Sequence, residues 1–301
     1  MNRSGQQSSP RSGNPRRSGV TLAEIVVVLA LMGVLGGAIG LTLVRQQRFY
    51  RGATELLHAR EGVRDAMELL SADIRGMAVA DTVRLFADSA IEFFANVGTS
   101  IVCETTGGSG VGLPGASSGR GNVLTAFLNQ PDTGDIAVFH RDSLEGASEW
   151  ERHRITGLAA RPRGTACPGF ILDLATPLSA HVRSGAPVRF IRRGRYSLYH
   201  GSDGRWYLGY RRCDAVGASR CGAIQPLAGP YRDYSSNPRY TGLLFEYFDE
   251  SGRRLTPGEL PLAIARVDIA ARAESRQRIV VEGRVSAPSD SATVSIAIRN
   301  R

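Results

Sequence analysis

Hydrophobic and polar positions change their rhythm twice along this chain. From Ile25 to Val44 there are 20 residues without a charge. A helix of that length rises roughly 30 Å, the depth of one bilayer core. Past Arg45 the apolar positions thin to Phe49, Ala53, Leu56, Val63, Met67, Leu70, Ile74 and Met77. Steps of three, four and seven keep them in one stripe, so the pattern predicts an amphipathic continuation. No proline occurs between Pro15 and Pro114. One helix from about Val20 to about Ala78, roughly 90 Å long, is therefore expected.

From Asp81 the period falls towards two. Short runs such as "AIEFFA", "GDIAVFH", "PVRFIRR", "RYSLYH", "RWYLGYRR", "LLFEYFD", "IARVDIAAR" and "TVSIAIRN" alternate with turn residues and predict strands. "RYSLYHGSDGRWYLGY" predicts a hairpin turning at Asp203-Gly204. Glycine and serine dominate Thr105 to Gly121, which reads as a surface loop. The expected fold class is α+β: a long N-terminal helix carrying a mainly antiparallel β head. The expected division is 1–19 leader, 20–44 membrane-spanning helix, 45–80 amphipathic extension and 81–301 head.

The edge of the apolar run holds a carboxylate. Thr21 to Glu24 is a T-x-x-E capping box, which would satisfy the first helical turn, and Glu24 complements the positive end of the helix dipole. Taken alone, that local role explains the glutamate as well as any other. Arg16 and Arg17 precede the span, but Arg45, Arg48 and Arg51 follow it, so charge asymmetry leaves the orientation open.

Read together, "GVTLAE" and the apolar run resemble the N-terminus of type IV pilins and of the pseudopilins of type II secretion. The motif is Gly19, Val20, Thr21, Leu22, any residue, Glu24, after a short basic leader. The resemblance implies that a prepilin peptidase cuts after Gly19 on the cytoplasmic face and methylates the amine of Val20. It implies that Glu24 meets the N-terminal amine of a neighbouring subunit during assembly. Most members begin with Phe; Val at this position points to a minor subunit. More diffusely, "LLSADIRGMA", "GDIAVF", the "RYSLY…WYL" hairpin, "LLFEYFDESG" and the final "AIRNR" are similar to PilW-type minor pilins and GspJ-type pseudopilins. The implied partners are other pilins or pseudopilins, the peptidase and the inner-membrane assembly platform. The implied location is the bacterial inner membrane, single pass, with a periplasmic head shaped as a lollipop.

Composition adds less. The net charge is +9 with a pI near 9.9, every basic side chain other than histidine is Arg, and residues 1–19 hold four of those arginines and no acid. Removing the leader weakens a nucleic-acid reading built on total charge. Arg189, Arg192, Arg193 and Arg195 beside Tyr196 and Tyr199 form a candidate DNA-binding patch, although strand alternation would send the arginines to both faces. Gly33 with Gly37, and Gly36 with Gly40, make small-xxx-small pairs that would let helices approach closely.

Cys103, Cys167, Cys213 and Cys221 allow three disulfide pairings. Cys213 with Cys221 closes a short loop, which leaves Cys103 with Cys167. A zinc site is the rival, but there is no C-x-x-C, and His140, His153, His181 and His200 lack ligand spacing. "GVGLPG" matches a nucleotide fingerprint only formally, with Pro114 inside and no helix after it. Glu246, Asp249 and Glu250 cluster near a turn without a calcium-loop spacing. No catalytic motif and no cofactor site is read. Two classes of function remain: a non-catalytic filament subunit, or an anchored binding module acting as adhesin or DNA receptor.

Overall fold

In a computed structural model the described residues are 19, 21–77, 83–115, 125–142, 148–161, 167–217, 220–257, 259, 263–275, 279–281 and 284–298. The fold is α+β: one long apolar-to-amphipathic helix, α1 (Leu22–Arg75), precedes a large antiparallel sheet. The helix begins and ends within three residues of the limits read from its periodicity. By contacts the chain divides into two compact units, residues 1–51 and residues 52–301.

After α1 come β1 (Leu85–Phe86), β2 (Ala90–Ile101), β3 (Glu104–Thr105), β4 (Gly110–Pro114), β5 (Ala126–Phe127) and β6 (Ile136–Asp142). Then follow β7 (Ser148–Arg161), β8 (Gly169–Leu174), β9 (Pro187–His200), β10 (Trp206–Arg212), β11 (Gln225–Tyr231) and β12 (Leu243–Phe248). The last are β13 (Arg254–Leu255), β14 (Arg266–Glu274), β15 (Ile279–Val281), β16 (Arg284–Ser286) and β17 (Ser289–Ala297). The hydrogen-bonded order is β13-β12-β14-β11-β10-β9-β6-β7-β8-β4-β3, with β2 on β9, β17 on β14, and β15 with β16 as a separate ribbon.

Strand β9 organises this sheet. Its first residues pair with β6 and its last with β10, while its other edge carries β2 from Ile101↔Pro187 to Ala90↔Ser197. "PVRFIRR" and "RYSLYH", read as two strands, are therefore one. Gly194 joins them, and the ring of Tyr210 lies where a Cβ on Gly194 would have to go. Strand β7 links two layers: its first half pairs with β6, its second with β8, and the register shifts between Ile155 and Gly157. Such a shift bends a strand and re-aims its neighbours.

Two cores result. In the second unit, the Ala59, Val63, Ala66, Leu70 and Ile74 face of α1, with Met77 just past its end, packs on Phe93, Tyr196, Leu208, Phe245, Val267 and Ile269. Each large side chain buried there contributes about 1.5–3 kcal/mol of transfer free energy. This stripe differs from the expected one. Phe49 and Ala53 are exposed, and the small residues Ala59, Gly62 and Ala66 are buried because the helix lies close to the sheet. A second core gathers Val111, Leu113, Phe139, Ile155, Leu172 and Phe190 between the β4–β8 layer and the main sheet. The expected loop from Thr105 to Gly121 is corrected here: Gly110–Pro114 is strand β4, and its Val111 and Leu113 are fully buried against β8. The formal "GVGLPG" match thus lies largely in a strand. Residues 116–121 lie outside the described residues.

Candidate functional site

The N-terminal site is built from backbone donors. Thr21 accepts hydrogen bonds from Glu24 N at its carbonyl (3.1 Å) and at Oγ1 (3.3 Å), and Ile25 N donates to the same carbonyl (3.2 Å). Thr21 is therefore the N-cap, and Glu24 falls in the first turn, where a carboxylate complements the helix dipole. Gly19 is exposed, with nothing within 4 Å of a Cβ built on it. Leu22 is exposed too. Val20, the residue expected to carry methylation, lies outside the described residues.

Behind this cap every residue from Leu22 to Val44 is exposed. An 18-residue window here reaches a mean hydropathy of 2.5, enough in length and composition to cross a membrane. The four glycines of the span, at positions 33, 36, 37 and 40, each have open space where a Cβ would stand. At 100° per residue they occupy one arc of about 100°, with Glu24 on the opposite side of the helix. Contiguous apolar surface of this extent needs lipid or protein to cover it.

Two buried carboxylates of the head, Glu92 and Asp135, are matched internally by arginines. Glu92 is fully buried; its Oε1 accepts from Arg193 Nε (2.7 Å) and its Oε2 from Arg195 Nε (2.8 Å). Arg193 Nη1 also donates to the carbonyls of Asp214 (2.9 Å) and Gly217 (3.2 Å). Those carbonyls belong to the loop closed by the Cys213–Cys221 disulfide; Cys103–Cys167 is the other bridge. On a second cluster, buried Asp135 accepts from Arg192 Nε (2.9 Å) and Arg212 Nη2 (2.9 Å). Hydrogen bonding to Asp135 raises the Arg192 pKa further, and the Arg212 bond holds Asp132 below the usual carboxylate range. A buried ion pair adds little net stability, but it penalises any arrangement that leaves one partner unmatched.

This accounts for most of the basic run on β9. Arg192, Arg193 and Arg195 are committed to Glu92 and Asp135, a poor disposition for holding phosphates. The acidic turn is engaged likewise. Asp249 accepts from Ser251 N (3.0 Å), Ser251 Oγ (2.6 Å) and Arg253 N (3.0 Å), and Glu246 pairs with Arg254 (3.0 Å). The Ser251 hydroxyl is the main reason Asp249 titrates below its ordinary value.

One titratable pair joins α1 to the sheet. Tyr196 donates its hydroxyl to Asp73 Oδ2. Burial raises the pKa of Asp73, the tyrosine bond opposes that rise, and burial raises Tyr196 strongly. Sequence reading missed this contact and both arginine clusters. Compared as a whole, the chain matches no family model, and no curated protein or solved structure is detectably similar to it.

Proposed function

We propose that this chain is a non-catalytic minor subunit of a type IV pilus or a type II secretion pseudopilus, assembling through its N-terminal helix as an initiating or tip subunit. The observation that carries the reading is the junction at Thr21. A capped helix start places one carboxylate in its first turn, directly before a wholly uncovered apolar surface. In a bundle of such helices a carboxylate at that depth is costly unless it meets a cation. An N-terminal amine released by cleavage after Gly19 would supply one. Prepilin peptidase, fellow subunits and the assembly platform are the partners this requires, with the head in the periplasm.

Intact mass of the membrane-extracted protein, with and without co-expressed prepilin peptidase, tests the reading. A chain starting at methylated Val20 only with the peptidase is expected. A start near Ala38, or uncut Met1 in both samples, would overturn it. Gly19→Leu should block the cut, whereas Glu24→Ala should be cut but assemble poorly. Normal filaments from both variants would be incompatible with the proposal.

A further inference from the structure

At the tip of the β9–β10 hairpin the head carries an open cleft of about 410 Å³. That lies within the range of about 300–1,000 Å³ usual for small-molecule sites. Its aromatic wall is Tyr234 and Tyr240, 42% and 62% exposed. The polar wall is Arg205, Arg232, Asp233 and Glu274.

On the aromatic side Tyr234 is held in place. Tyr234 donates its hydroxyl to Asp88 Oδ2 (2.8 Å), and its ring centroid is 6.3 Å from that of Trp206, which meets His200 edge-on. On the polar side Arg232 is held as well, because its Nη2 donates to Ser289 Oγ (3.0 Å) and its Nε lies 3.8 Å from Glu274. Side chains fixed before binding lose little entropy when a ligand arrives, which favours Tyr234, Arg232 and Glu274 as the preorganised part of the cleft.

The chemistry of the two walls narrows the ligand. Exposed tyrosine faces suit a flat, weakly polar surface, and tyrosine combines that surface with a polar edge. Two guanidinium groups offer only donors and two carboxylates only acceptors, so the cleft addresses a molecule rich in groups that do both. The charges balance, and a polyanion would meet Asp233 and Glu274 as well as the arginines. A sugar ring answers all three demands, with an apolar C–H face, a rim of hydroxyls and no charge. We infer that this cleft binds a neutral saccharide, one face stacked on Tyr240 and Tyr234 and its hydroxyls shared between the arginines and the carboxylates. The inference is independent of how the N-terminal helix is used.

The chain has two tryptophans, and Trp206 borders the aromatic wall. In full-length Trp150→Phe protein, held in a sugar-free detergent, Trp206 is the sole indole reporter. Titration with maltotetraose and with the N-acetylglucosamine tetramer should give a saturable emission change for at least one. Tyr240→Ala should weaken that binding about tenfold, the loss of one anchoring contact. Tyr240→Phe, which keeps the ring, should stay near the parent. A short thymidine oligonucleotide should bind more weakly than the sugar. No saturation on the order of 10 mM with either sugar would overturn the assignment. So would equal affinity in Tyr240→Ala, or tighter binding of the oligonucleotide.

Discussion

Between Leu22 and Val44 every side chain of α1 is exposed, whereas between Ala59 and Ile74 the same helix buries Ala59, Gly62, Val63, Ala66, Leu70 and Ile74. Past Glu24, from Ile25 to Val44, the first stretch is apolar all round, and the second is apolar on one stripe only. A helix apolar on every side has no face suited to water, and this one is long and apolar enough to cross a membrane. A helix apolar on one side finds its partner within its own chain. The comparison teaches that a continuous backbone element can carry two solvent requirements, set by side-chain pattern alone.

The largest expected effect separates the stretches outright. The full chain should sediment with membranes, while residues 52–301 should remain in the supernatant without detergent. Membrane association of the shorter chain would erase the distinction. Next in size, Leu70→Ala opens a cavity in a fully buried position and should lower stability by about 2–5 kcal/mol in urea unfolding. A smaller, pH-dependent effect is expected at Asp73. Its pKa is raised in the folded state, so its favourable contribution is complete below the unfolded carboxylate pKa and is lost as pH rises through the folded one. Asp73→Asn should therefore raise the melting temperature at pH 8 and change it little at about pH 4. The reverse order would show that the tyrosine bond outweighs burial. Smallest of all, Leu35→Ala should leave the unfolding of the head within about 0.5 kcal/mol of the parent. A loss comparable with Leu70→Ala would mean that the exposed stretch is part of the folded core.

Much of this architecture was legible in the sequence because its signals are local. The cap at Thr21, the apolar run and the turn at Gly204, whose φ is +76°, each depend on neighbours a few residues apart. Strands β4, β7 and β11 escaped for equally physical reasons. Strand β4 is "GVGLP", whose glycines imitate a linker, and β7 is "SEWERHRITGLAAR", whose charges hide its alternation. Strand β11, "QPLAGPY", holds two prolines that ordinarily argue against a strand. The head's charge clusters were illegible in a deeper sense. Glu92 and Arg193 are 101 residues apart, and only the β2–β9 register brings them together. The saccharide cleft draws on residues near 205, 234 and 274, which no linear spacing associates.

The grip of Arg193 on the loop from Cys213 to Cys221 has a consequence for how that loop is written into the chain. Its path is specified twice, once by a covalent bridge and once by a guanidinium that holds two of its carbonyls while bonded to Glu92. The two devices respond to different insults, since reductant attacks one and loss of a charge attacks the other. Removing either fastening alone should therefore leave the other holding the loop, at Asp214 and Gly217 or at Cys213 and Cys221.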